Sequence, residues 1–418
     1  MEKFKIIGPS SLNGMVTISG AKNAALPEIA AAILTEEKLT LENLPHVKDV
    51  KTLLKILDEM GFLIDLKDDG CSIKFSGKIN PIAPYELVKT MRASFLVLGP
   101  LLAKYKRAKV SLPGGCLIGA RPVDLHLKGL SKMGAQIKVE HGYVIAEAEK
   151  LKGCEYTFEK VTVTGTENLL MAATLADGET ILNNCATEPE VEDLANLLKK
   201  MGAKIDGVGT RRIVVEGVEE LNGAKHSIIP DRIEAGTFLI ASIITGGKVL
   251  IKNCNPFHMA SVIDKLEEMG AKLNVGKDFL EVHKNNVDSL LPSLTITNPY
   301  PGFPTDMQAQ LMVLCTQIRG TSVIRETIFE NRFNHAYELN RMGADIKIEG
   351  DSAIINGKSK LSGCEVMASD LRAGASLVIA GLVSEGETIV NRIYHLDRGY
   401  DSLEVKLKNL GAKIERIR

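Results

Sequence analysis

One short phrase recurs six times along this chain of 418 residues: "EMGF", "KMGA", "KMGA", "EMGA", "RMGA" and "NLGA", with glycines at 61, 134, 202, 270, 343 and 411. The intervals are 73, 68, 68, 73 and 68 residues, and each glycine of the second trio lies 209 residues, half the chain, after its counterpart in the first. A fixed period of this length marks a repeated supersecondary unit, and the regrouping predicts two halves of three repeats each. Each glycine closes an amphipathic segment such as "EPEVEDLANLLKKMG", where a left-handed helix cap is cheapest without a Cβ. Two short strand patterns follow, as in "AKIDGVG" and "RRIVVEGV". Upstream, "TENLLMAATLADGETILNN" reads as a more apolar helix, a Gly turn and a strand. The unit is strand, helix, strand, helix, strand, strand.

The sixth copy ends at "GAKIERIR" without its last strand, while the chain opens with "FKIIGPSSLNG", which matches "SAIINGKSKLSG" and "RIVVEGVEELNG" elsewhere. The N-terminal strand is therefore expected to complete the final repeat. That gives one domain over 21–230 and a second made of 1–20 plus 231–418, with crossings near residues 20 and 230 that suit a hinge. A six-fold solenoid has the same period, but the three-plus-three grouping and the borrowed strand favour two closed domains.

Lys plus Arg, 51, nearly cancel Asp plus Glu, 52, so the large positive field used by nucleic-acid and anionic-membrane binders is absent and any anion site must be local. The N-terminus has no apolar signal region and the longest apolar runs are too short for a bilayer span, which predicts a cytoplasmic protein. The seven cysteines are odd in number and widely spaced, with no CxxC, which argues for reduced thiols over a disulfide framework or a zinc site.

Features shared by the copies point to packing, and departures point to chemistry. Cys154 and Cys364 sit in matched phrases "LKGC" and "LSGC", Cys185 and Cys254 in "NNC" and "KNC"; Cys116 has no counterpart. It lies in "PGGCLIGAR", where the second repeat is longer than its neighbours, with Lys104, Lys106, Arg107 and Arg121 near in sequence to favour a thiolate. A surface loop with an incidental cysteine fits the same composition. The other divergent place is the start of each first helix: Lys22 and Asn23, Arg92, Glu167, Asp231 and Arg232, Asp306, and Asp370 and Arg372. Equivalent positions in a three-fold domain share one end, where helix N-termini offer unpaired N–H groups, so these groups are expected to converge on an anion site between the domains. Taken singly, Asp or Asn there is an ordinary N-cap.

Six segments spread over the whole chain, "GAKNAALP", "PGGCLIGARPVDLH", "PGFPTDMQAQ", "ETIFENRF", "DLRAGASLVIAGL" and "HLDRGYD", resemble in this order the UDP-N-acetylglucosamine enolpyruvyltransferase family. The resemblance implies an α/β fold, the inside-out α/β barrel of two domains with three βαβαββ units each. It implies transfer of enolpyruvyl from phosphoenolpyruvate to the 3′-hydroxyl of UDP-N-acetylglucosamine through a tetrahedral intermediate, the opening step of peptidoglycan synthesis, with neither a metal nor an organic cofactor. Carried over by position, it makes Cys116 the acid and the target of fosfomycin. Asp306 becomes the base, and Lys22, Arg121 and Arg398 the holders of phosphate and carboxylate, with Arg92 and Arg372 adding positive charge; Arg232 joins the substrate site from its repeat position. Asn23 is expected at the sugar hydroxyl or the intermediate; Arg121, Pro122, Val123, Asp124, Leu125 and Ile328 at the uridine diphosphate; and Arg332, Asp370 and Glu190 at the tie between domains. Two other readings stay open: the sister enzyme 5-enolpyruvylshikimate 3-phosphate synthase, which lacks the Gly-Gly-Cys loop, and a non-catalytic repeat protein that binds a partner.

Overall fold

The computed structural model describes residues 2–89, 91–112 and 123–418; Cys116, Arg121 and Pro122 lie outside them. All six repeat glycines have φ between 94° and 105°, the left-handed region that the helix ends require. The helices they close, such as Lys48–Met60 and Pro189–Lys200, bury one face and leave the other in solvent. The first helices differ: in Val163–Ala173, Arg232–Ile244 and Leu371–Val383 nearly every residue is buried, because each is surrounded by protein. Helices thus fill the interior and sheets lie outside, the reverse of a barrel with a sheeted core.

The described residues form six four-stranded sheets. In one, Glu155–Thr157 pairs in parallel with Glu179–Asn183 (Glu155 opposite Ile181), as the intervening helix crossover requires. Glu179–Asn183 and Lys204–Asp206 then flank Arg212–Glu216 as antiparallel neighbours. In the last sheet that central place is taken by the N-terminal strand Lys3–Gly8, antiparallel to both Gly386–Asn391 and Lys413–Ile417.

The chain divides into two compact units with separate apolar cores: one holds 2–19 and 230–418, the other the described residues of 20–229. At each crossing a short strand and the helix that follows it belong to different units. Asn13–Thr17 precedes the helix Lys22–Ala31 but pairs with Lys248–Lys252, while Lys225–Ser227 precedes Arg232–Ile244 but pairs with Leu39–Glu42. Within one unit Asp231 N donates to Ser19 O at 2.9 Å, and within the other Ala21 N donates to Ile229 O at 2.7 Å. Among the described residues no helix is long and apolar enough to cross a membrane.

Candidate active site

In the unit built from 20–229, the helix Lys22–Ala31 begins without a side-chain cap, and Lys22 is its first residue. Lys22 Nζ lies 3.5 Å from Asp49 Oδ2, a buried carboxylate in the first turn of Lys48–Met60. Asn23 follows, half-buried. Pro27, inside the helix, has no N–H to give the Asn23 carbonyl. Arg92 opens the 3-10 turn Arg92–Val97. It stands near enough to His126 to add to the burial that lowers this imidazole to about 3, so His126 is neutral. Asn168 Nδ2 lies 2.9 Å from its Nδ1.

Val123, Asp124 and Leu125 begin the helix Asp124–Lys132, with the Leu125 carbonyl accepting from Tyr156 Oη at 3.2 Å. Glu167 and Glu190 are both buried. Burial first, then the neighbouring carboxylates of Glu190, Glu188 and Glu28, push Glu167 well above the usual carboxylate range.

In the other unit, three equivalent helix starts do come together. Asp231 caps Arg232–Ile244 by accepting from Ile233 N and Glu234 N, and Asp370 caps Leu371–Val383 by accepting from Arg372 N and Ala373 N. Asp306, in the short turn Thr305–Met307, receives Arg332 Nη2 on Oδ1 at 2.7 Å and Arg372 Nη2 on Oδ2 at 3.1 Å. Burial disfavours the Arg372 cation, but Asp306, Tyr400 and Asp231 outweigh it and hold the group charged. Its Nη1 is buried with no hydrogen-bond acceptor among the described residues. A buried donor without a partner is costly, and an anionic ligand oxygen would supply one.

Arg332 also donates to Thr305 Oγ1 at 3.1 Å. Glu326 accepts from Thr305 Oγ1 and from Ile328 N, which fixes the backbone at Ile328. Arg232 lies over the Tyr300 ring at 5.5 Å. Arg398 ends the turn Ile393–Arg398, and burial together with Arg398 lowers the neighbouring His395. Asp49, Thr305, Glu326 and Tyr400 are contributors that the sequence reading does not single out; of these only Asp49, an acidic residue opening a helix, carries a local signal.

One group among the described residues comes within metal-ligand reach: Glu28, Asp193 and His226, all buried. His226 Nε2 lies 2.9 Å from Asp193 Oδ1 and 3.4 Å from Glu28 Oε1, while Nδ1 meets Lys200 Nζ at 2.9 Å. The short contact to Asp193 needs a hydrogen on Nε2, which removes the lone pair a metal would use. The group reads as a buried hydrogen-bonded charge network. Burial pushes Glu28 up to about 8.

The six described cysteines are all free. Burial raises Cys71 and Cys185 to about 12 and Cys254 and Cys315 to about 11, and also raises the less buried Cys154 and Cys364.

Comparison with known proteins shows the family. The family model described as EPSP synthase (3-phosphoshikimate 1-carboxyvinyltransferase) matches residues 6–407. A UDP-N-acetylglucosamine 1-carboxyvinyltransferase of Koribacter versatilis (strain Ellin345) is 59% identical over 421 residues, covering 100% of this chain and 97% of that protein. Its namesake in Acidobacterium capsulatum is 56% identical over 422 residues, 100% of this chain and 96% of that protein. The solved enolpyruvyl transferase NikO from Streptomyces tendae superposes with a TM-score of 0.90 at 25% identity, over 100% of this chain and 99% of its own. An EPSP synthase from Acinetobacter baumannii, 21% identical with a TM-score of 0.77 over the full length of both chains, shares the fold. Full-length identity of this order, on the fold those enzymes share, shows that the chain belongs to the UDP-N-acetylglucosamine 1-carboxyvinyltransferase family of enolpyruvyltransferases.

Proposed function

We propose that this protein transfers the enolpyruvyl group of phosphoenolpyruvate to the 3′-hydroxyl of UDP-N-acetylglucosamine, releasing inorganic phosphate, as the first step of peptidoglycan synthesis in the cytoplasm. The hydroxyl oxygen forms a bond to C2 of phosphoenolpyruvate as C3 gains a proton, and the tetrahedral adduct then loses phosphate from C2 and a proton from C3. Such a reaction needs an acid for C3, a base for the hydroxyl and cations for the phosphate and carboxylate. Cys116 is the acid and Asp306 the base. The bonds from Arg332 and Arg372 orient the Asp306 carboxylate for that role.

Lys22, Arg121 and Arg398 hold the phosphoenolpyruvate anion, with Arg92, Arg232 and Arg372 adding positive charge. Asn23 meets the sugar; Arg121 to Leu125 and Ile328 take the uridine diphosphate. Arg332, Asp370 and Glu190 organise these groups. The reading uses neither metal nor organic cofactor, and fosfomycin, which alkylates a reactive thiol, is expected to act at Cys116. The observation that carries the reading is the full-length identity to the two 1-carboxyvinyltransferases, joined to a buried Arg372 with a donor to spare. Measuring phosphate release with UDP-N-acetylglucosamine as acceptor tests it; no release would remove it.

A further inference from the structure

Arg416, in the last strand Lys413–Ile417, is the centre of an ion cluster away from the residues discussed above. Its Nη2 donates to Asp397 Oδ1 at 2.7 Å and its Nη1 to Asp397 Oδ2 at 3.2 Å, a two-pronged guanidinium–carboxylate pair. Its Nε donates to Glu404 Oε1 at 2.8 Å, and Nη1 also reaches Glu2 Oε2 at 3.0 Å. The guanidinium lies over the ring of Phe4, 5.1 Å from its centroid, and Phe4 is its partner across the strand pair. One side chain thus joins the first strand, the last strand, the helix Leu403–Asn409 and the turn Ile393–Arg398.

That turn ends on Arg398, the residue after Asp397. From inside it is held by Leu396, packed so closely on Gly374 that a Cβ there would come within 2.6 Å of Leu396 Cδ1, and by Tyr400, whose Oη lies 2.9 Å from Thr237 Oγ1. On the C-terminal side of Arg398, Gly399 N and Tyr400 N donate to the Leu396 carbonyl at 3.0 and 2.9 Å. On its N-terminal side the Asp397 carboxylate is held by the fork of Arg416. An isolated surface ion pair contributes little, but a forked pair on Asp397 with a further bond to Glu404, both carboxylates largely shielded while Glu2 is exposed, sets geometry as well as charge.

We propose that Arg416 is a positioning residue for Arg398: its fork on Asp397 sets the direction in which the turn presents the Arg398 guanidinium to the phosphoenolpyruvate anion. The proposal rests on the reading of Arg398 as a phosphoenolpyruvate contact. Steady-state kinetics with both substrates varied test it on four variants of the full chain: Arg416→Ala, Asp397→Asn, Arg398→Ala and the double variant Arg416→Ala/Arg398→Ala. A displaced cation is expected to raise the Michaelis constant for phosphoenolpyruvate roughly tenfold in Arg416→Ala and Asp397→Asn, with that for UDP-N-acetylglucosamine changed less than about twofold. Arg416→Lys, which keeps the charge without the fork, is expected to recover only part of the loss.

The double variant is expected to match Arg398→Ala alone, because a group that acts through Arg398 has nothing left to position. Thermal unfolding of each variant separates a general loss of folded protein from the specific change. An unchanged phosphoenolpyruvate constant in both Arg416→Ala and Asp397→Asn, or effects that multiply in the double variant, would overturn the proposal. If Arg398→Ala itself left phosphoenolpyruvate use intact, the functional reading of Arg398 would fail first and the positioning role with it.

Discussion

Arg332 Nη2 donates to Asp306 Oδ1 at 2.7 Å, and Arg372 closes the other side of the same carboxylate at 3.1 Å. The arrangement makes Asp306 the counter-ion of a buried cation, and in the proposed reaction it is also the proton acceptor. Asp306→Asn keeps the shape but loses both roles. Turnover is expected to fall by about two to four orders of magnitude while nucleotide-sugar affinity changes less than about threefold. Because Arg372 is left less compensated, the melting temperature is expected to fall as well. Near-normal turnover would make Asp306 a structural clamp only.

The thiols give a second prediction. Burial holds all six described cysteines away from the thiolate form, which is the nucleophile. Peptide mapping after fosfomycin treatment is therefore expected to find the adduct at Cys116, with Cys116→Asp active and unlabelled, since a carboxylic acid donates a proton but attacks an epoxide poorly. An adduct found instead at Cys154 or Cys364 would remove Cys116 from its assigned role.

Lys22 is paired with the buried Asp49 at 3.5 Å, so its ammonium is steered by the protein before any ligand arrives. Lys22→Ala is expected to raise the phosphoenolpyruvate constant by about tenfold or more and to slow turnover, since in the proposed reaction the cation meets the anion in ground and transition states alike. Asp49→Asn is expected to show a milder form of the same pattern. Initial-rate measurements check both, and an effect confined to the nucleotide sugar would contradict the assignment.

Stability is expected to fall as pH rises above about 6.5. Buried His126, lowered to about 3, and His335, lowered to about 4, stay neutral in the fold but charge in the unfolded chain below 6.5, so their contribution falls as pH falls through that range, where the raised Glu28 and Glu167 offset it. Glu28, raised from 4.5 to about 8, does the opposite: the fold keeps a proton that the unfolded chain has released, so its contribution falls as pH rises from 4.5 to 8. Each such group contributes up to about 1.4 kcal/mol per pH unit. Denaturant unfolding of Glu28→Gln is expected to show a shallower decline between pH 6.5 and 8; an unchanged slope would place the titration elsewhere.

The repeat glycines were legible because a left-handed helix end leaves a local mark, and Asp231, Asp306 and Asp370 because they recur at one place in the period. The pairing partners of Asn13–Thr17 and Lys225–Ser227 leave no such mark, since a short strand reads alike whichever neighbour it pairs with. The contact of Arg372 with Asp306, 66 positions apart, joins two helix starts about one repeat apart, but that of Arg332, 26 positions away, has no counterpart in the period. Glu28 was hidden for another reason. A single Glu in a helix usually marks the solvent face, but Lys22–Ala31 is buried nearly all round and has no such face.

The most direct test of the account follows inorganic phosphate released from phosphoenolpyruvate by the purified protein, with UDP-N-acetylglucosamine or shikimate 3-phosphate as acceptor and no added metal. The account predicts release only with the nucleotide sugar, in equal amount to a UDP-sugar product heavier by one enolpyruvyl group. Release with shikimate 3-phosphate instead, or with neither acceptor, would contradict it.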